Sequence, residues 1–161
     1  MFSWLIKLNN LYINKVQALS RLNLTILILF TVIIEFSVSL VFALILFPEH
    51  SAGPKFDSKL EEFFLVVFLA PLIETLIFQY TIISYLLNKI PKAVLFVCLF
   101  SALLFGLSHF YSQVYVFKTF ISGILFGTLY LVVNSKNNSP IIAVALAHSL
   151  YNFIGFCLRQ I

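Results

Sequence analysis

Charge is the scarcest thing in this sequence: 10% of its 161 residues are Asp, Glu, Lys or Arg, under half the share found in soluble domains. A water-soluble globular domain is excluded on that ground. Cysteine is nearly absent too. Cys98 and Cys157 both lie inside apolar runs, where an unpaired thiol behaves as a small hydrophobe, so neither a disulfide framework nor a zinc knuckle fits. Five glycines and five prolines are too few for a collagen-like or linker-rich chain. The net charge is +4, yet the basic residues are scattered through the short segments between apolar runs. Without a basic patch, nucleic acid is excluded as a partner, and the cations read as topology signals and contacts with anionic lipid.

What is abundant is apolar surface: 61% of residues are hydrophobic and the mean hydropathy is +1.06. The chain reads as an integral membrane protein, all-α, a polytopic transmembrane helix bundle of about five spans plus an N-terminal amphipathic helix. Residues 1–23 form that amphipathic segment, with Leu5, Leu8, Tyr12, Val16 and Leu19 at helical spacing among Lys7, Asn14, Lys15 and Arg21, as expected of an interfacial helix. Residues 24–161 form one bundle. Its first span, residues 24–47, is too long for the apolar core of a signal peptide. The loop "PEHSAGPKFDSK" follows, then a second span over 61–87. In "NKIPK" Pro91 is suited to open the next helix, over about 93–110. After "YSQVY" a fourth span runs to about residue 134, carrying Gly123 and Gly127 as a small-xxx-small pair for close packing. The turn "SKNNSP" leads to a last span over 140–158.

With this topology Lys7, Lys15, Arg21, Lys89, Lys92 and Lys136 fall on the N-terminal side, against Lys55, Lys59, Lys118 and Arg159 on the other. The bias makes the N-terminus cytoplasmic.

Polar residues inside the spans are costly, about 2.5–3.5 kcal/mol for an ionisable group at mid-bilayer, and usually face the bundle interior or a water-filled cavity. Glu74, in "LAPLIETLIFQY", is one such residue. Its candidate partners are His109, at the end of the third span, and His148 with Asn152, one turn apart on a face of the last. Phe105 and His109 share that spacing. Each residue alone is as well explained by structure: a protonated core glutamate, an interfacial histidine, interhelical hydrogen bonds. Together, in a chain with three histidines, they point to a site. Glu35 is the rival intramembrane carboxylate, read as packing or lining a cavity. His50 belongs to the polar loop and to solvent, while Tyr and Phe are assigned to lipid contact and core.

At these residues the sequence resembles the CPBP (Abi) family of intramembrane proteases, which includes CAAX prenyl endopeptidases and proteins of bacteriocin loci. That family's pattern is Glu-Glu-xxx-Arg, then Phe-xxx-His, then His-xxx-Asn or Asp. Here "ETLIFQ", "FGLSH" and "HSLYN" occupy the three places in order, and the resemblance covers about residues 61–156. Thr75 stands where the family has its second glutamate and Gln79 where it has arginine.

The resemblance implies that Glu74 carries catalysis with His109, while His148 and Asn152 stabilise the oxyanion. Amide hydrolysis needs both a water stripped of its proton and a site for negative charge on the carbonyl oxygen. No metal is expected, since no His-Glu-xx-His helix is present; were a divalent ion such as zinc used, Glu74, His109 and His148 would be its ligands. The implied partners are a peptide or protein substrate entering from or near the membrane and the lipid bilayer itself. The implied setting is a multi-pass protein of a bacterial cell membrane, in bacteriocin processing or self-immunity. Two alternatives stay open: a catalytically silent immunity or peptide-binding protein on the same scaffold, and a proton or ion pathway over Glu35, Glu74 and the histidines. No residue pattern prescribes an oligomeric state.

Overall fold

The structure, a computed structural model, describes residues 3–49 and 53–160; His50 lies outside the described residues. Every regular element among them is helical. We label the helices α1 (Ser3–Leu19), α2 (Leu24–Leu46), α3 (Lys59–Lys89), α4 (Val94–Ser108), α5 (Gln113–Asn134) and α6 (Pro140–Leu158). Four of them, α2, α3, α5 and α6, are long and apolar enough to cross a membrane. The fifth expected span is α4, apolar but only 15 residues long. At 1.5 Å per residue it covers about 22 Å, short of the roughly 30 Å hydrocarbon core.

Local signals set the ends. Asn23 caps α2 by accepting from the Ile26 N–H (2.9 Å), and Ser112 caps α5 through Tyr115 N–H (3.0 Å). At the start of α3, Ser58 accepts from Glu61 N–H (3.1 Å) while the Glu61 carboxylate accepts from Asp57 N–H (2.9 Å), a reciprocal arrangement close to a capping box. Pro140 occupies the first turn of α6, where its missing N–H costs nothing. Pro91 differs from expectation: it lies in the turn after α3, and α4 begins at Val94. The cap there comes from elsewhere in the chain. Asn9 of α1 accepts from Leu95 N–H (3.0 Å) and donates to the Lys92 carbonyl (2.8 Å), capping α4 from outside.

The amphipathic α1 thus lies on the bundle. Val16 is buried, Tyr12 and Leu19 pack against the core, and the Tyr12 hydroxyl meets that of Thr128 at 2.8 Å, whereas Leu5 and Leu8 remain exposed. At the centre stands α5, with 56% of its apolar window buried, against 22–33% for the other long helices. It packs along α4 through small residues. A Cβ on Gly123 would lie 2.8 Å from the Ala102 Cα, and one on Gly127 3.0 Å from the Cys98 Sγ, so the backbones approach as the small-xxx-small spacing predicts.

Helix α3 mixes α turns with wider i→i+5 turns over Phe63–Leu69 and Thr75–Ile82. Its buried residues recur at every fourth position: Val67, Pro71, Thr75, Gln79 and Ile83. In a uniform α-helix such a stripe drifts about 40° per step; the wider turns take up that drift and hold one straight face to the bundle. On the outer face Phe64, Phe68, Leu72, Ile73, Leu76 and Ile77 are exposed, as suits contact with lipid.

Candidate active site

Glu74 sits fifteen residues from either end of the 31-residue α3, at its midpoint. The short α4 brings His109 there: the helix stops at Ser108, His109 leaves helical geometry (φ −103°, ψ 46°), and its ring meets Glu74. The Glu74 Oε1 lies 3.5 Å from His109 Nε2 and its Oε2 lies 3.8 Å from His148 Nε2. One carboxylate therefore faces two imidazoles, carried by α3, the end of α4, and α6. At these separations the three groups are in close polar contact, too near for a water on the line from the carboxylate to either imidazole, so a water would sit beside them on the cavity side.

The two imidazoles are held differently. His109 Nδ1 lies 2.8 Å from the Phe105 carbonyl, which can only accept, so Nδ1 carries a proton, and in the neutral imidazole Nε2, on the Glu74 side, is the basic nitrogen. The Phe-xxx-His spacing also brings the Phe105 ring to 4.7 Å from the His109 ring. His148 is buried, stacked on Phe126 at 4.5 Å, and its Nδ1 has no partner. An orphaned buried N–H costs more than an orphaned lone pair, which favours the proton on Nε2, facing Glu74. Thus His109 offers an acceptor and His148 a donor.

Asn152 is placed by a break in α3. The Ala70 N–H bonds Leu65 O and Pro71 has no N–H to offer, so the Val66 carbonyl lacks a helical donor. Asn152 Nδ2 supplies one at 2.8 Å. One of its two N–H groups is thereby committed, and the amide lines the same cavity as Glu74.

That cavity, about 230 Å³, is lined by Glu74, His109, His148 and Asn152 together with Tyr115, Lys118, Ser122 and Tyr151. A second cavity of about 290 Å³ shares Tyr115, Lys118, Tyr151 and Asn152 with it and extends to Glu62 and Arg159. The two adjoin, and Pro54 and Phe56 of the first loop line both; the first is termed the chamber and the second, which reaches the ends of α3 and α6, the vestibule. At the outer end Arg159 binds Glu62 through Nε (3.1 Å) and a terminal nitrogen (2.7 Å), tying the end of α6 to the start of α3.

Four of these side chains carry no functional signal in the sequence: Tyr115 and Tyr151 read as core and lipid contact, Lys118 as a topology charge, and Ser122 as an ordinary helix residue. Glu35 lies behind the chamber wall: it is fully buried on α2, its Oε2 accepts from Ser122 (2.9 Å), and its Oε1 has no partner. Thr75 and Gln79 are also fully buried, on the inner stripe of α3, with Thr75 Oγ1 and both Gln79 amide atoms unpartnered. Among the described residues no three His, Cys, Asp or Glu side chains stand in a metal-holding arrangement.

A family model described as type II CAAX prenyl endopeptidase, Rce1-like, matches residues 57–154. The matched segment contains Glu74, His109, His148 and Asn152, and leaves α1 and α2, with Glu35, outside it. No curated protein and no solved structure matches the chain.

Proposed function

The chain belongs to the Rce1-like family of type II CAAX prenyl endopeptidases, and from that premise we propose that it is an intramembrane endopeptidase in which Glu74 and His109 activate the water that cleaves a peptide bond. The observation that carries this reading is the Glu74 carboxylate set 3.5 Å from Nε2 of His109, in a chamber at the midpoint of α3. A water beside the pair, on the cavity side, donates a proton to one of the two acceptors, leaving an oxygen lone pair to attack the substrate carbonyl carbon. One proton passes to the carboxylate–imidazole pair as the carbon–oxygen bond forms, and the pair returns it to the leaving nitrogen as the carbon–nitrogen bond breaks. His148 Nε2–H and the second N–H of Asn152 supply donors for the oxyanion.

In this reading the partner is a peptide or protein that reaches the chamber from or near the bilayer, no metal takes part, and the protein sits in a bacterial membrane with its N-terminus in the cytoplasm. Bacteriocin maturation or self-immunity is the setting. The second reading, a silent peptide-binding or immunity protein, draws on Thr75 and Gln79, which replace the charged pair of the family's first motif by neutral groups.

The test is cleavage by the full chain in vesicles, with and without a strong chelator. Glu74→Gln, His109→Ala and His148→Ala are each expected to lower cleavage at least about 100-fold, and chelation to leave the unsubstituted protein active. Absence of cleavage, with a protective phenotype that survives all three substitutions, supports the silent protein instead.

A further inference from the structure

Helix α1 is fastened to the bundle at two joints. At the first, Asn9 holds the start of α4 through the Leu95 N–H and the Lys92 carbonyl. At the second, the Lys136 ammonium, just past α5, donates to the carbonyls of Ser20 and Leu22, just past α1. Between them the Tyr12 hydroxyl lies 3.1 Å from the Cys98 Sγ of α4 and meets Thr128 of α5. Helices α4 and α5 run antiparallel, Gly106 facing Val116 and Phe120 while Gly127 faces Cys98. The start of α4 and the end of α5 therefore share one end of the bundle, and α1 lies across it.

Lying there, α1 turns Asn9, Tyr12, Val16 and Leu19 to the bundle. Trp4, Leu8 and Leu11 form a second, exposed apolar flank, and Asn10, Asn14 and Gln17 an exposed polar one. A helix with a free apolar flank beside a polar one belongs in the membrane interface. Lys7, Leu11 and Lys15 follow one another at four-residue spacing, so two cations stand along the apolar flank, as a lipid carrying a phosphate beside its acyl chains requires.

Charge says which lipid. Lys7, Lys15 and Arg21 of α1 and its flanking turn face an end that also carries Lys89, Lys92 and Lys136, and all but Lys136 are exposed. No carboxylate answers them among the described residues. Of the six Asp and Glu, Glu35 and Glu74 lie within α2 and α3, while Glu49, Asp57, Glu61 and Glu62 belong to the opposite end. Topology asks only that cations gather at one end. It does not ask that they sit on both sides of a docked helix, where they repel. We propose that the free flank of α1 docks anionic phospholipid, whose headgroups offset the cations of α1 and of the α3–α4 turn and so hold α1 down on the α4–α5 seam.

Two native side chains report on this. The full chain, with Cys157→Ser, is placed in nanodiscs of phosphatidylcholine alone or of an equal mixture with phosphatidylglycerol. Cys98, buried beneath Tyr12, is expected to react with N-ethylmaleimide about five-fold or more slowly in the mixture, the factor that one cation near an anionic surface supplies. In Lys7→Gln with Lys15→Gln and Arg21→Gln the difference is expected to vanish, although the membrane and its field are unchanged. Trp4 is the chain's one tryptophan. In the mixture its fluorescence is expected to be quenched more when the phosphatidylglycerol carries brominated chains than when the phosphatidylcholine does. That reading needs no charge substitution, so it stands even where the triple variant fails to fold.

Equal labelling in the two membranes, a difference that survives in the triple variant, or equal quenching by the two brominated lipids overturns the proposal. So does protection of Cys98 in phosphatidylcholine by added inorganic phosphate, which would make the cations a site for a free anion.

Discussion

The first motif carries its sharpest constraint in two neutral side chains. Thr75 and Gln79 occupy fully buried positions one turn apart on the inner stripe of α3. Such a position tolerates a charge only when the opposite charge arrives with it, since an unpaired buried ion costs about 3–5 kcal/mol. Gln79→Arg alone is therefore expected to destabilise the protein by about that amount, whereas Thr75→Glu with Gln79→Arg recovers most of the loss by pairing at i, i+4. Thermal unfolding of the purified protein in detergent checks this, and equal unfolding of single and double variants would overturn it. Glu74, His109, His148 and Asn152 were legible as candidates because polar residues are scarce in this chain and fall at helical spacing in different spans. Tyr115, Tyr151 and Lys118 were not. With 19 Phe and 7 Tyr, an aromatic residue marks nothing, and a lysine six residues into a span reads as a topology charge until the fold turns it inward.

Among the elements, α4 and α5 form the tightest seam, and it is the seam that sets where His109 stands. Gly123 meets backbone: its Cβ would lie 2.8 Å from the Ala102 Cα and 3.1 Å from the Ala102 carbonyl oxygen. Gly127 meets the end of a side chain, the Cys98 Sγ at 3.0 Å, which has more room to yield. Gly123→Ala is thus expected to push the helices apart at a cost of about 1–3 kcal/mol, and Gly127→Ala to cost less. Two measurements check it: unfolding midpoints, and labelling of the fully buried Cys98 by a maleimide, which Gly123→Ala should accelerate. The glycine spacing and the ends of α2 and α5 could be read from sequence because each has a local cause. The wide turns of α3 could not: burial at every fourth residue looks like an ordinary helix, and only the ladder shows that Pro71 and the Ala70 N–H leave the Val66 carbonyl to Asn152. The short α4 was legible as apolar, but its function as the carrier of His109 to the midpoint of α3 depends on a packing partner the local sequence does not name.

At the scale of the whole molecule, the two ends of the bundle differ in how their cations are used. At one end α1, the α3–α4 turn and the end of α5 meet: Asn9 holds the Lys92 carbonyl, and the Lys136 ammonium donates to the carbonyls of Ser20 and Leu22. That end carries Lys7, Lys15, Arg21, Lys89, Lys92 and Lys136. The other end holds the vestibule, where Arg159 is paired with Glu62 and Lys118 faces the cavity, leaving Lys55 and Lys59 as surface cations. Setting aside Arg159, whose charge is paired with Glu62, widens the asymmetry of unpaired cations between the two ends. The N-terminus is therefore expected inside and the vestibule on the opposite side of the membrane. In a background with Cys157 replaced by Ser, Lys55→Cys is expected to react with a membrane-impermeant thiol reagent in intact cells, and Lys89→Cys only after permeabilisation. The reverse labelling would turn the molecule over, give the chamber access from the cytoplasm, and mean that Lys118 and Arg159 act as topology charges as well as lining the vestibule.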